Sequence, residues 1–174
     1  LRAGEPVRVV REDTERKGLL FAGTETGAYV SFDGGAKWLT FNGNLPVVPI
    51  TDLEVRHGDL IAATEGRAFW ILDDLSPIRQ HADAVASAPV TLFKPRGAIL
   101  FGGSEGFGGF GSPNAGRNPP PGATVHFRLA SAPDSATAAK LEFLDASGAV
   151  IRTFNKEAGP AAGPARGPRL APKA

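Results

Sequence analysis

Apolar residues along this chain fall in short runs broken by polar and turn residues, and no stretch shows the three- and four-residue spacing of an amphipathic helix. These runs are rich in β-branched and aromatic residues and are bounded by Gly, Asp, Asn or Pro, which predicts strands separated by tight turns. A first group of strands is expected at residues 7–11, 19–23, 28–32 and 38–41. A second is expected at 52–56, 60–64 and 68–72, with 90–93 as its fourth member. Turns fall at 15–18, 25–27, 33–35, 57–59 and 65–67. Strand character returns at 124–129 and at 140–154, where apolar alternation on both sides of the turn 145–148 predicts a hairpin.

The two groups are related to each other. At an offset of 40 positions the pairs Leu20/Leu60, Ala22/Ala62, Thr24/Thr64, Glu25/Glu65, Ala28/Ala68 and Asp33/Asp73 are identical. Phe21/Ile61 and Tyr29/Phe69 differ conservatively. A period of about 40–45 residues made of short strands is that of a four-stranded β-propeller blade. The strands holding Ala22-Gly23-Thr24 and Ala62-Ala63-Thr64 use small residues, so they are expected to lie at the crowded centre.

Ser31-Phe32-Asp33-Gly34-Gly35-Ala36-Lys37-Trp38 fits Ser-x-Asp-x-Gly-x-x-Trp at every specified position. That pattern resembles the Asp-box of BNR-repeat β-propellers, a group that includes sialidases, xyloglucanase-type glycoside hydrolases and the sortilin ectodomain. Gly66-Arg-Ala-Phe-Trp-Ile-Leu-Asp-Asp-Leu-Ser-Pro-Ile-Arg79 resembles the closing segment of a bacterial family described as glycosyl hydrolase-like or sortilin-N-terminal-like. Residues 19–30 and 45–49, Leu92-Phe-Lys-Pro-Arg96 and Asn118-Pro-Pro-Pro-Gly122 resemble the same family, so the likeness runs over 7–154. It implies an all-β chain with the last two four-stranded propeller blades (7–42 and 50–95, within 1–100). A Gly/Pro-rich linker (101–122), the start of an Ig-like β-sandwich (123–157) and a disordered tail (158–174) would follow.

The resemblance further implies a secreted or periplasmic parent in which this part supplies blade closure and one arc of a channel rim. The parent would be glycoside hydrolase-like, binding or acting on polysaccharide, with a sortilin-like, non-catalytic propeller for proteins or peptides as the alternative. Its partners would be the remaining blades and a carbohydrate or peptide ligand. The absence of Met, the start at Leu1 and the Pro/Ala/Gly-rich end all read as part of a longer protein.

Composition narrows the chemistry. Nineteen basic and eighteen acidic residues leave a net charge of +1 without a basic run, which gives nucleic acid no electrostatic footprint. No apolar stretch reaches the ~18 residues of a membrane span. With no Cys, this chain has no disulfide, thiolate metal site or cysteine nucleophile. His57, His81 and His126 have no ligand spacing, so neither a metal nor another cofactor is expected. Gly106-Phe-Gly-Gly-Phe-Gly111 matches a dinucleotide fingerprint literally, but the prolines after it forbid the helix that fingerprint needs.

Within the Ser31–Trp38 motif the expected roles are structural. Asp33 accepts backbone N–H groups in its turn, Gly35 supplies a conformation closed to other residues, and Trp38 packs on its own hairpin. Asp73 and Asp74 are adjacent and so cannot face one another as a glycosidase pair. Tyr29, matched by Phe69 in the repeat, reads as packing rather than as a nucleophile. No catalytic residue is therefore assigned. The candidates for ligand binding are Glu25, Glu65 and Arg67, which follow equivalent strands on loops expected at the channel mouth.

Overall fold

The computed structural model describes residues 1–2, 4–98, 122–131 and 139–156. Among them β-structure dominates, in small antiparallel sheets with two short helices. The first sheet has the order β1 (Val7–Glu12), β2 (Leu20–Thr24), β3 (Ala28–Ser31), β4 (Leu39–Thr40). The second has β5 (Ile50–Arg56), β6 (Asp59–Thr64) and β7 (Phe69–Leu72). The β5–β6 connection is the two-residue loop His57-Gly58, with φ of 52° and 85°. Positive φ at both positions is the geometry that matches strand twist in a tight hairpin.

The two sheets share one core. Val9, Phe21 and Val30 of the first pack with Ile50, Leu53, Val55, Leu60 and Ala62 of the second, closed by Leu19, Val48 and Leu75. Phe21, Leu19, Ile50 and Leu75 are fully enclosed. The sheets meet mainly through β1 and β5, the first strand of each, with β2 also against β5. This corrects the expectation that β2 and β6 are the innermost strands, since each lies between two neighbours in its own sheet. The small residues of β2 answer a local need. A Cβ on Gly23 would lie 2.7 Å from Ile50 Cγ2 and 2.8 Å from Val9 Cγ1, so only glycine lets the two sheets close there.

The expected fourth strand of the second sheet is absent from it, which is a correction to the four-stranded reading. After β7 the chain enters α1 (Ser76–Arg79), with Pro77 early in its first turn, and then α2 (Asp83–Ser87). The next strand, β8 (Val90–Leu92), pairs with β9 (Phe127–Leu129) and not with β7. Ser76-Pro77 ends strand geometry and turns the chain away before an adjacent partner for β7 forms.

A latch ties α1 to the first sheet. Asp13 is buried, accepts the amides of Glu15 and Arg16 at 2.9 and 2.7 Å, and receives Arg79 Nη2 at 2.9 Å. Arg16 donates in turn to the carbonyls of Ile78, Arg79 and His81. These carbonyls lie in the last turn of α1 and just after it, where backbone acceptors outnumber backbone donors, so the guanidinium adds a partner there.

By contacts the chain divides into two units, one of Leu1–Ala86 with Leu92–Phe127, the other of Ser87–Thr91 with Arg128–Ala174. In the second, the hairpin predicted over 140–154 forms as β10 (Ala139–Leu144) and β11 (Val150–Lys156). Asp145 Oδ1 gathers the amides of Ser147 and Ala149 in its turn, and Phe143 meets Phe154 edge-on at 5.7 Å. β9 does not join this hairpin, so the third strand expected for the sandwich is not added to it among the described residues. The Gly/Pro stretch up to 121, with its Gly106–Gly111 motif, and the tail from 157 lie outside the described residues.

Candidate functional site

The β2–β3 and β6–β7 loops are built alike. In the first, Thr24 N–H donates to Gly27 O at 2.9 Å, and Thr24 Oγ1 lies 3.0 Å from the same carbonyl. In the second, Thr64 N–H and Oγ1 both donate to Ala68 O, at 3.1 and 2.6 Å. A threonine at the strand end thus closes each loop on its own backbone, and Glu25 or Glu65 follows it directly.

Arg8 on β1 brings these two glutamates onto one edge. Its Nε donates to Glu25 Oε1 at 2.7 Å, and its Nη2 stands 3.7 Å from Glu65 Oε2. All three side chains are at least a third exposed, so the cluster is a wet rim and its ion pairs add little stability. Arg67, the third candidate, is exposed and contributes through its backbone, its carbonyl accepting Trp70 Nε1 at 3.0 Å. The structure gathers Glu25 and Glu65 on Arg8, while Arg67 enters through its carbonyl bond to Trp70.

Sequence reasoning missed Glu5, which organises the ground beneath this rim. Its carboxylate accepts Thr24 Oγ1 at 2.6 Å, Thr26 Oγ1, Thr26 N at 3.1 Å and Tyr29 Oη at 3.0 Å. These donors, the two threonine hydroxyls foremost, hold its pKa down at about 2. Tyr29 is therefore a buried packing residue with a hydrogen-bonded hydroxyl. The signal available in the sequence was weak, because Glu5 lies on the far side of β1 from the groups it binds.

The Ser31–Trp38 turn is self-contained. Asp33 Oδ1 accepts Lys37 N at 2.8 Å and Ser31 Oγ at 2.9 Å, while Ser31 Oγ accepts Gly35 N at 2.9 Å. Gly34 and Gly35 take φ of 72° and 97°, the left-handed region that side chains disfavour. Trp38 is half-buried and lies over Gly35, where a Cβ would come 3.7 Å from its ring.

A second feature lies where the two sheets splay apart. Between the β3 start, the 41–45 loop and the inner face of β6 and β7 is a cavity of about 320 Å³. Leu53, Leu60 and Ala62 floor it, Phe41 and Trp70 wall it, and Asp73, Asp74 and His126 stand at its polar side. Trp70 is oriented by its indole bond to Arg67, and Phe41 by contact with Phe21 at 5.8 Å.

Asp74 is buried in the left-handed region at φ 62°, with its amide on Asp59 Oδ1 at 2.9 Å and its Oδ1 accepting Ser76 N at 3.0 Å. Its Oδ2 lies 3.3 Å from His126 Nε2, yet neither atom is aligned for a hydrogen bond and both are enclosed. Distance makes this pair an electrostatic contact, while geometry leaves both atoms unsatisfied. Burial pushes the Asp74 carboxyl up, but bonds from Ser76 with Arg96 and His126 nearby bring it below the usual aspartate value. His126 sits 52 positions from Asp74 (126 less 74), so no local motif could have joined them. Its place is set by its own carbonyl, which accepts Phe93 N at 3.0 Å.

Among the described residues no group of three or more His, Asp or Glu stands close enough to hold a metal ion, and no helix is long and apolar enough to cross a membrane. Comparison with protein-family models, with curated proteins and with solved structures found no match to this chain.

Proposed function

We propose that this chain is a structural part of a secreted BNR-repeat β-propeller protein and contributes an arc of a rim that binds polysaccharide. The observation that carries this reading is the meeting of Glu25 and Glu65, from equivalent loops of two repeated sheets, on the guanidinium of Arg8. Exposed carboxylates and N–H donors alternating along one edge suit the hydroxyls of a sugar chain, which donate and accept at every ring.

The rim binds and does not cleave. Glycoside hydrolysis needs two carboxylates flanking the scissile bond with nothing between them but substrate or water. Here Arg8 bonds one carboxylate and approaches the other, which ties both to a structural cation. The repeat and the Ser31–Trp38 turn support the blade reading, and the three-stranded second sheet leaves β7 an open edge beside which further structure of the parent would continue.

Affinity electrophoresis of the chain in gels containing xyloglucan or mixed-linkage β-glucan tests the rim. Retardation is expected for the native chain, and Glu25→Gln with Glu65→Gln should reduce it at least about threefold, since each removes a charge-assisted acceptor. Equal mobility with and without polysaccharide would sink the carbohydrate reading. Capture of a peptide by the same edge, abolished in those variants, would move it to the sortilin-like alternative.

A further inference from the structure

We propose that the cavity behind β7 binds a small organic amine, its apolar ring or chain filling the space between Phe41 and Trp70 and its ammonium received by Asp74. The inference does not depend on the rim and concerns a separate place in the fold.

The volume comes first. About 320 Å³ lies at the lower end of small-molecule sites, roughly 300–1,000 Å³, and such sites are mostly apolar with a few placed polar groups. This cavity has that make-up, with leucine, alanine and two aromatic rings beside the neutral amides Asn42 and Asn44 and the charged side of Asp73 and Asp74.

The sign of the charge decides the ligand class. Asp73 and Asp74 line the cavity, and neither lysine nor arginine does so among the described residues. Asp74 is over nine-tenths buried, and its Oδ2 has no hydrogen-bond donor. A buried, unmatched acceptor costs free energy that a donor from a ligand would recover. An ammonium supplies three N–H donors and a positive charge, and the faces of Trp70 and Phe41 favour a cation further. A neutral or anionic ligand of the same shape lacks this match.

His126 now occupies the place beside Oδ2. Its ring stands 3.3 Å from Oδ2 without forming an aligned bond, and its side chain is 39% exposed. With no aligned bond at Nε2 and a partly exposed side chain, the imidazole can swing toward solvent, and the ligand's ammonium takes the place beside Oδ2 that it now fills.

The test uses the full chain, with benzylamine and its neutral isostere benzyl alcohol as probes. Calorimetry measures affinity, and the indole N–H resonance of Trp70 reports the place. Benzylamine is expected to shift that resonance and to bind at least about tenfold more tightly than benzyl alcohol, the effect of one charge-assisted bond in a buried site. Asp74→Asn keeps an acceptor for Ser76 and suits the left-handed backbone, so it should fold and lose about tenfold in benzylamine affinity. Equal binding of the two probes, or no movement of the Trp70 resonance at millimolar benzylamine, would overturn the proposal. The probe comparison on the native chain stands even if the variant does not fold.

Discussion

Single side chains do most of the local organising in this chain, and they do it through short polar networks. Asp33 and Asp145 each gather backbone amides in a turn, as the sequence pattern around them predicts. Glu5 is different, because its four bonds come from β2, β3 and the loop between them. Its pKa, near 2 against an ordinary 4.5, gives a sign to its pH dependence. The folded value lies below the unfolded one, so the stabilisation is present above pH 4.5 and is lost as pH falls toward 2. An NMR titration of the Glu5 carboxyl should find a midpoint near 2, and Glu5→Gln should flatten the stability curve across that window. A midpoint near 4.5 would show that these bonds do not form in solution. The same scale holds the least legible parts of the candidate sites. Glu25 and Glu65 were visible as a repeat, but Arg8, Glu5 and His126 joined their partners only through folding.

Among the elements, the strands were legible and their pairing less so. The pattern of short β-branched and aromatic runs between turn residues located β1 to β3 and β5 to β7 closely, because such runs suit a pleated, packed strand. It placed β8 in the wrong sheet, because periodicity says what a segment is and not which edge it meets. α1 was unread altogether, being a four-residue helix too short to show a period. Yet α1 carries the most enclosed ion pair among the described residues, between Arg79 and an Asp13 side chain with no exposed surface. Burial raises the Asp13 pKa, and the bonds from Arg79, Glu15 and Arg16 outweigh that and lower it. Asp13→Ala should destabilise the chain by about 3 kcal/mol in urea unfolding, since it strands a largely buried guanidinium. A loss below about 1 kcal/mol would mean that Arg79 is satisfied elsewhere, for instance by Glu15, which it already meets at 2.8 Å.

For the molecule as a whole, the two repeated sheets bury one face of each against the other and leave the second sheet's opposite face open. Phe69 and Ile71 point to that face from the edge strand β7 and are 74% and 59% exposed. An apolar, unpaired edge is a template for association. A net charge of +1 offers little repulsion against it. Light scattering at neutral pH should therefore show concentration-dependent association, reduced by the double change Phe69→Lys and Ile71→Lys. A monomer that persists at high concentration in the native chain would contradict this and would remove one support for further blades beside β7.

What the sequence by itself determined is local. Short β-branched and aromatic runs set the all-β character, turn residues set the hairpins, and the repeat set the likeness of the two sheets, since each depends on contacts within some forty residues. What only the tertiary structure decided is everything that joins distant segments. The bridging of Arg8 to Glu65, the meeting of Asp74 with His126 beside the cavity and the latch of Asp13 on Arg79 each join residues more than fifty positions apart (65 less 8, 126 less 74, 79 less 13). Pairings of that reach are selected by the packing of the core, which leaves no periodic trace in the sequence for them.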